Sequence, residues 1–414
     1  MKETLQLNLS DPAKLESLYR ADKAGFKKAF FELFPIKPVD PVALCWFERL
    51  QEESASISWG KGADIFVILV ATVIATCIAK LPDFLSLKAE EYFPRNISFI
   101  VLPVLAGYFI WLHRIKRQTV FIVLFLFAVS AIYINWLPGN FDNDTLILSC
   151  IHLPLVGWSL LGLVYNKGQL KEWEGRPAFL RFNGDLLVMG SLIVSGVMVL
   201  SGITMGLFSL IGLLIEDFYT QWVLIAELSA SPLIATYVIR YNPQLVNKVS
   251  PVIARIFSPL VLVTLVAYLV GIVIAGKDPY TDRDFLMLFN ALLIGVLAII
   301  FFSVVEMKRT AENKLAHWII FLLALVTIVV NGVALSAIIY RIGSWGFTPN
   351  RLAVLGGNLL FFINLILLAR QLYRQLRGQV TTSSVEEVIA KYLPLYFVWA
   401  VLVTFLFPLI FRFQ

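Results

Sequence analysis

Long apolar runs separated by short polar connections recur from Ile65 to the carboxyl end of the chain. Eleven can be delimited: Ile65 to Leu81, Ile97 to His113, Val120 to Trp136, Thr145 to Tyr165, Leu186 to Leu214, Thr220 to Val238, Ile253 to Ala275, Phe285 to Val305, Leu315 to Tyr340, Leu352 to Leu372 and Leu393 to Ile410. Each approaches or exceeds the roughly 20 residues with which a helix crosses about 30 Å of hydrocarbon, and only helices satisfy their own backbone there. The pattern predicts an all-α fold, a polytopic transmembrane helical bundle over residues 64–414. Pro82 to Arg95 is too charged to span and is expected to form an interfacial helix.

Residues 1–63 are polar and predict a short cytosolic helical region and linker. Asp11-Pro12 is an N-cap followed by a first-turn proline, ahead of Leu15, Leu18, Tyr19, Phe26, Phe30 and Leu33 on one helical stripe. Asp22 interrupts that stripe. Asp40-Pro41 opens a second helix through Trp46, Phe47 and Leu50, and Glu52 to Asp64, with its serines and glycines, is the linker. The stripe can pack on the membrane bundle, lie on anionic headgroups, or meet a cytosolic partner at residues 11–50.

The ninth and tenth runs form a helical hairpin around Tyr340-Arg341-Ile342-Gly343-Ser344-Trp345-Gly346-Phe347-Thr348-Pro349-Asn350-Arg351. Gly343 and Gly346 can take positive φ, and Thr348-Pro349 predicts an N-cap with proline at the first helical position.

At 59% hydrophobic and 15% charged residues, the chain is more apolar than a soluble domain. Its net charge of +6 is divided among short loops, which speaks for membrane topology and against a nucleic-acid surface. With the amino terminus in the cytoplasm, 26 of the 34 Lys and Arg residues fall on the inner side and 8 on the outer, and the carboxyl terminus lies outside. The first apolar run starts only near Ile65, so insertion is expected to be directed by that span and not by a cleaved leader. Cys45, Cys77 and Cys150 are far apart and imply neither a disulfide framework nor a zinc site. No nucleotide, metalloprotease or redox motif is present, and no cofactor follows from the sequence.

Candidate chemistry lies in polar residues within the apolar runs. Glu227 sits inside the sixth span, where a carboxylate costs about 2.5–3.5 kcal/mol. Ser231 is one turn later, and Pro232 should free a carbonyl. Such a group either contributes to an ion-coupled site or is a hydrogen-bonded structural residue. His152, Asn290, Asn331, Asn358 and Asn364 are interhelical hydrogen-bond partners or site residues. Counted at about 1.5 Å per residue from the outer ends, Glu227, His152, Asn290, Asn331 and Asn358 fall about 8–14 Å deep, which predicts one outward-half cavity. Arg341 and Arg351 flank the hairpin turn and either bind an anion or anchor at the interface. The pairs Asp142/Asp144 and Asp282/Asp284 supply too few oxygens for calcium. Gly202 and Gly206 predict close helix packing, within the chain in preference to across a dimer.

Trp345-Gly346-Phe347-Thr348-Pro349-Asn350-Arg351 resembles the Tyr-Gly-Leu-Thr-Pro-x-Arg turn of a bacterial family of polytopic membrane proteins grouped as a domain of unknown function. Leu15-Glu16-Ser17-Leu18-Tyr19-Arg20 and Trp46-Phe47-Glu48-Arg49-Leu50 are similar to that family's start, with Trp345 and Phe347 as departures. The resemblance implies a bacterial inner membrane and transfers no site residue. The expected function is a transporter or permease-like protein with an outward-half polar site, whose partners are the lipid bilayer and a small-molecule or ion substrate. The alternatives are a membrane sensor, scaffold or envelope component, and a membrane enzyme acting on lipid.

Overall fold

The computed structural model describes residues 2–53, 62–139, 142–275, 280, 283–307 and 314–413. Asp282 and the loop at Arg309 lie outside the described residues, as does most of the expected linker. The chain divides into two compact units, Met1–Gly60 and Lys61–Gln414.

The first unit contains α1 (Lys2–Leu7), α2 (Pro12–Ala21), α3 (Lys23–Leu33) and α4 (Pro41–Glu53). Asp11 caps α2 by accepting from the Ala13 and Lys14 amides. The stripe read as one helix is two. Asp22 is extended, at φ −150° and ψ 92°, and accepts from the Gly25 amide at 2.9 Å. The residue that interrupts the apolar pattern is thus the cap that divides it. Leu15, Tyr19, Phe26 and Phe30 are buried with Trp46, Phe47 and Leu50 of α4. The rings of Phe26 and Trp46 lie 4.9 Å apart, so the stripe is consumed inside the unit, leaving little of it to face headgroups. Glu16 pairs with Arg20 of its own helix at 2.9 Å and joins α2 to α4 through Arg49 at 2.8 Å. The Arg20 hydrogen bond, then that of Arg49, holds its carboxyl below the usual range.

The second unit holds α5 (Gly62–Ala79), α6 (Leu81–Leu85), α7 (Ala89–His113), α8 (Arg117–Trp136), α9 (Asp144–Tyr165) and α10 (Arg176–Leu210). Next come α11 (Glu216–Phe218), a π-helical turn (Tyr219–Val223), α12 (Leu224–Tyr241), α13 (Pro243–Ala275) and α14 (Arg283–Glu306). The remainder is α15 (Lys314–Trp345), α16 (Pro349–Leu376), α17 (Thr382–Val401), a second π-helical turn (Leu402–Leu406) and α18 (Phe407–Ile410). Among the described residues, eleven helical segments are long and apolar enough to cross a membrane. Phe121 and Ile132 on α8 and Leu187 and Leu207 on α10 are more than half exposed, an arrangement suited to lipid and too apolar for water.

Contacts show the spans alternating in direction. At one end, Arg95 near the start of α7 donates to the Ile134 and Leu137 carbonyls at the end of α8, at 2.9 and 3.0 Å. At the same end Ser149 of α9 donates to the Thr404 carbonyl at 2.9 Å, and Lys80 to that of Gln221 at 3.0 Å. The other end carries the Lys- and Arg-rich connections and is called the basic end below.

Several helices outrun their apolar runs. The expected interfacial helix is divided: α6 takes five residues, and Glu90 to Arg95 belong to α7, where Tyr92 and Asn96 continue its buried face. Gly343 is helical within α15, which continues through Arg341 to Trp345, so the turn narrows to Gly346, Phe347 and Thr348. Gly346 has φ 78°, and the Thr348 side chain accepts from the Arg351 amide at 3.3 Å. A Cβ at Gly346 would meet nothing within 4 Å, so its requirement is conformational. Gly346→Val should therefore lower folded yield in detergent, whereas Ser344→Val on exposed helix should not. Equal yields would remove the requirement for glycine. Gly202 and Gly206 differ from expectation: both are exposed and a Cβ at either would meet nothing within 4 Å, so neither mediates close packing within the chain.

Two hydrophobic cores divide the second unit. One combines α5, α7, α8, α9 and α12 with Phe179 and Phe182 from the start of α10. The other combines α14, α15 and α16 with Leu265 of α13 and with Val385 and Ile389 of α17. Leu180 of α10 packs against this second core, making α10 the helix shared by both.

Candidate functional site

The sequence-predicted residues separate into two groups. Asn290, Asn331 and Asn358, on three neighbouring helices, come together: Asn358 Nδ2 donates to Asn290 Oδ1 at 2.7 Å, and Asn331 Nδ2 to the Asn358 carbonyl at 3.1 Å. Asn331 and Asn358 are buried. Glu227 is half-buried and accepts from Ser201 Oγ of α10 at 3.3 Å. Ser231 donates to the Glu227 carbonyl at 2.8 Å, and Thr236 to that of Pro232 at 2.8 Å, binding carbonyls around the proline. His152 Nδ1 lies 2.9 Å from the Leu148 carbonyl of its own helix, so that nitrogen carries the proton. Asn364 donates to Tyr396 Oη at 2.8 Å. Arg351 Nη1 donates to the Trp345 and Gly346 carbonyls at 2.8 and 2.7 Å, closing the end of α15, while Arg341 stacks over the Trp345 ring at 5.5 Å.

A cavity of 710 Å³ lies elsewhere, at the basic end. It is walled by the last turns of α7, α9 and α12 and the first turns of α10 and α13. This convergence of C-terminal and N-terminal ends follows from the alternation of the spans. Its lining includes His113, Lys167, Arg181, Arg240 and Asp185, with the phenols of Tyr108 and Tyr165. Its apolar wall includes Phe109, Tyr165 and Phe182, whose rings pack at 5.2–5.3 Å.

Three features make this lining specific. Lys167 has φ 56°, a left-handed conformation in which a side chain costs about 1–2 kcal/mol, and it projects from the turn that ends α9. Arg240 approaches Tyr108 Oη at 3.4 Å and the Tyr241 ring at 5.3 Å, while Tyr241 donates to buried Asp64 of α5. His113 is bonded to the Val164 backbone, and its buried Nδ1 has no hydrogen-bond partner among the described residues. The charges of both Lys167 and Arg240 reach this ring.

Arg181 connects the cavity to the second core. Its Nε is 3.4 Å from Glu306 Oε1 of α14, its Nη2 is 3.4 Å from Glu386 Oε1 of α17, and Nη2 also donates to the Val305 carbonyl. Both carboxylates are 2% exposed. Glu306 in turn lines a second, more apolar cavity of 360 Å³ between α13, α14 and α15.

None of these residues stood out in the sequence. The apolar runs end before them, so Arg181, Arg240, Glu306 and Glu386 were assigned to connections between spans. A signal was present in Arg181 and Asp185, four residues apart just ahead of an apolar run, which is the spacing of one helical face.

An all-α bundle with eleven apolar spans and lipid-suited flanks defines a multi-pass membrane protein. No family model, curated protein or solved structure matches the chain.

Proposed function

We propose that the protein is a permease-like carrier of the bacterial inner membrane, with its amino terminus and basic end in the cytoplasm, and that its substrate enters the 710 Å³ cavity. The observation that carries this reading is a 710 Å³ cavity with a charged and aromatic lining at the basic end, walled by five of the spans. A concave site among helix ends, with a few convergent polar groups on an apolar wall, is where a carrier takes its substrate. The distribution of Lys and Arg supports the orientation, and the turn at Trp345 to Arg351 supports a bacterial family of this kind. The asparagine trio and Glu227 are then helix-to-helix bonds and not the substrate site.

Single cysteines in a variant with Cys45, Cys77 and Cys150 replaced by serine test both parts. A cysteine at Asp142 should react with a membrane-impermeant maleimide only from outside. A cysteine at Thr236, on the cavity wall about one turn deeper than Arg240, should react from inside and, more slowly, from outside. Labelling of Asp142→Cys only from the cytoplasm would reverse the orientation. Labelling of Thr236→Cys strictly from one side under all conditions would leave a membrane scaffold in place of a carrier.

A further inference from the structure

We infer that the cavity takes an amphipathic organic anion, its acidic head held by Arg240 and Lys167 beside His113 and its apolar body laid on Phe109, Tyr165 and Phe182. This inference rests on the cavity being the substrate site and adds the class of substrate.

Charge is the first argument. Besides two tyrosines, the ionisable side chains on the wall are His113, Lys167, Arg181 and Arg240, which are basic types, and Asp185. Arg181 is engaged with Glu306 and Glu386, so its charge is directed into the second core. Lys167 and Arg240 are exposed at the cavity, and the charge of each reaches His113. Both cations lie on one cavity wall, where a bound anion would be attracted to each.

The second argument is the placement of Lys167 and His113. A lysine held left-handed, followed by Gly168 at φ 79°, occupies a position where glycine would be unstrained, as expected when a side chain is kept for its charge. His113 lines the same part of the wall. The Phe109 and Tyr165 rings lie beside His113 at 5.7 and 6.2 Å and with Phe182 provide an apolar wall, and 710 Å³ is of the size that buries a small organic molecule.

Phenyl phosphate is the probe, with inorganic phosphate, benzylamine and benzyl alcohol as comparisons, titrated against the purified full-length protein in nanodiscs of phosphatidylcholine. Phenyl phosphate should bind and the amine and alcohol should not, with inorganic phosphate weaker for want of the apolar platform. Arg240→Gln should raise Kd about 10- to 100-fold, as removal of a charge-assisted contact does. Lys167→Gly should raise it about 3- to 10-fold without lowering thermal stability, because the left-handed strain is relieved. That combination separates a ligand contact from a structural role. A parallel arm adds phosphatidic acid to the nanodiscs. If phosphatidic acid displaces phenyl phosphate, the head-group chemistry is upheld and the source is lipid; if it does not, the source is a free solute.

Binding of benzylamine or benzyl alcohol as tight as that of phenyl phosphate overturns the inference, and so does phenyl phosphate affinity unchanged in both variants. The outcome is separable from that of the carrier reading. Two-sided labelling of Thr236→Cys with no anion binding removes the substrate class alone, and anion binding with one-sided labelling removes the carrier alone.

Discussion

Arg181→Met is expected to lower the thermal stability of the detergent-solubilised protein more than any other charge removal in the chain. Its guanidinium faces Glu306 and Glu386, each 2% exposed, and donates to the Val305 carbonyl. Removing one partner of a buried ion pair costs about 3–5 kcal/mol, because the remaining charge keeps its desolvation penalty and loses its compensation. Here two carboxylates on α14 and α17 would be left facing a thioether. Arg181→Lys should recover only part of the loss, since a single ammonium cannot address Glu306, Glu386 and a carbonyl through a planar fork. Adding Glu306→Gln and Glu386→Gln to Arg181→Met should restore most of it. Size-exclusion thermal melts decide the matter: an Arg181→Met midpoint within a degree or so of the parent would mean that the cluster holds nothing together.

The cluster also shows what could and could not be read from the sequence. Apolar runs place the spans because burial in hydrocarbon requires about 20 apolar residues, and the eleven predicted runs correspond to the eleven observed segments. They do not place the helix ends. α10 begins ten residues before Leu186, α13 ten before Ile253 and α17 eleven before Leu393. These extensions are polar enough to resemble loops, yet their backbones remain helical because neighbouring helix ends bury one face of each. The cavity and the Arg181 cluster are built from those extensions. Candidate residues within the apolar runs were legible for the opposite reason, since a polar group in hydrocarbon is conspicuous. Their partners were not: Ser201 of Glu227 and the joining of Asn290, Asn331 and Asn358 depend on which faces meet, which periodicity does not specify. Asp22 marks the same limit in the first unit. An acidic residue on an apolar stripe can be a defect or a cap, and the extended backbone at φ −150° makes it a cap.

Gly356→Val should be the most damaging substitution of a glycine on α16, and its neighbour supplies the control. A Cβ on Gly356 would lie 2.1 Å from Cη2 and Cζ2 of Trp399 on α17, closer than atoms can approach. The indole cannot simply swing aside, because it packs against Leu148, Ala353, Val403 and Phe407, with its ring 5.9 Å from that of Phe407. Overpacking of this kind costs about 1–3 kcal/mol or more. A Cβ on Gly357 would meet Trp399 Nε1 at 3.9 Å, an ordinary contact, so Gly357→Val should change stability far less. The sequence offers two adjacent glycines with no sign of which one the fold requires; the tryptophan from the next helix decides it. Trp399→Ala makes a cavity and is destabilising alone, but combined with Gly356→Val it should be less so than the sum of the two. Residues in contact depart from additivity by about 0.5–3 kcal/mol, and here the departure should be favourable. Additive losses, or equal losses for Gly356→Val and Gly357→Val, would show that α16 and α17 do not meet through this ring.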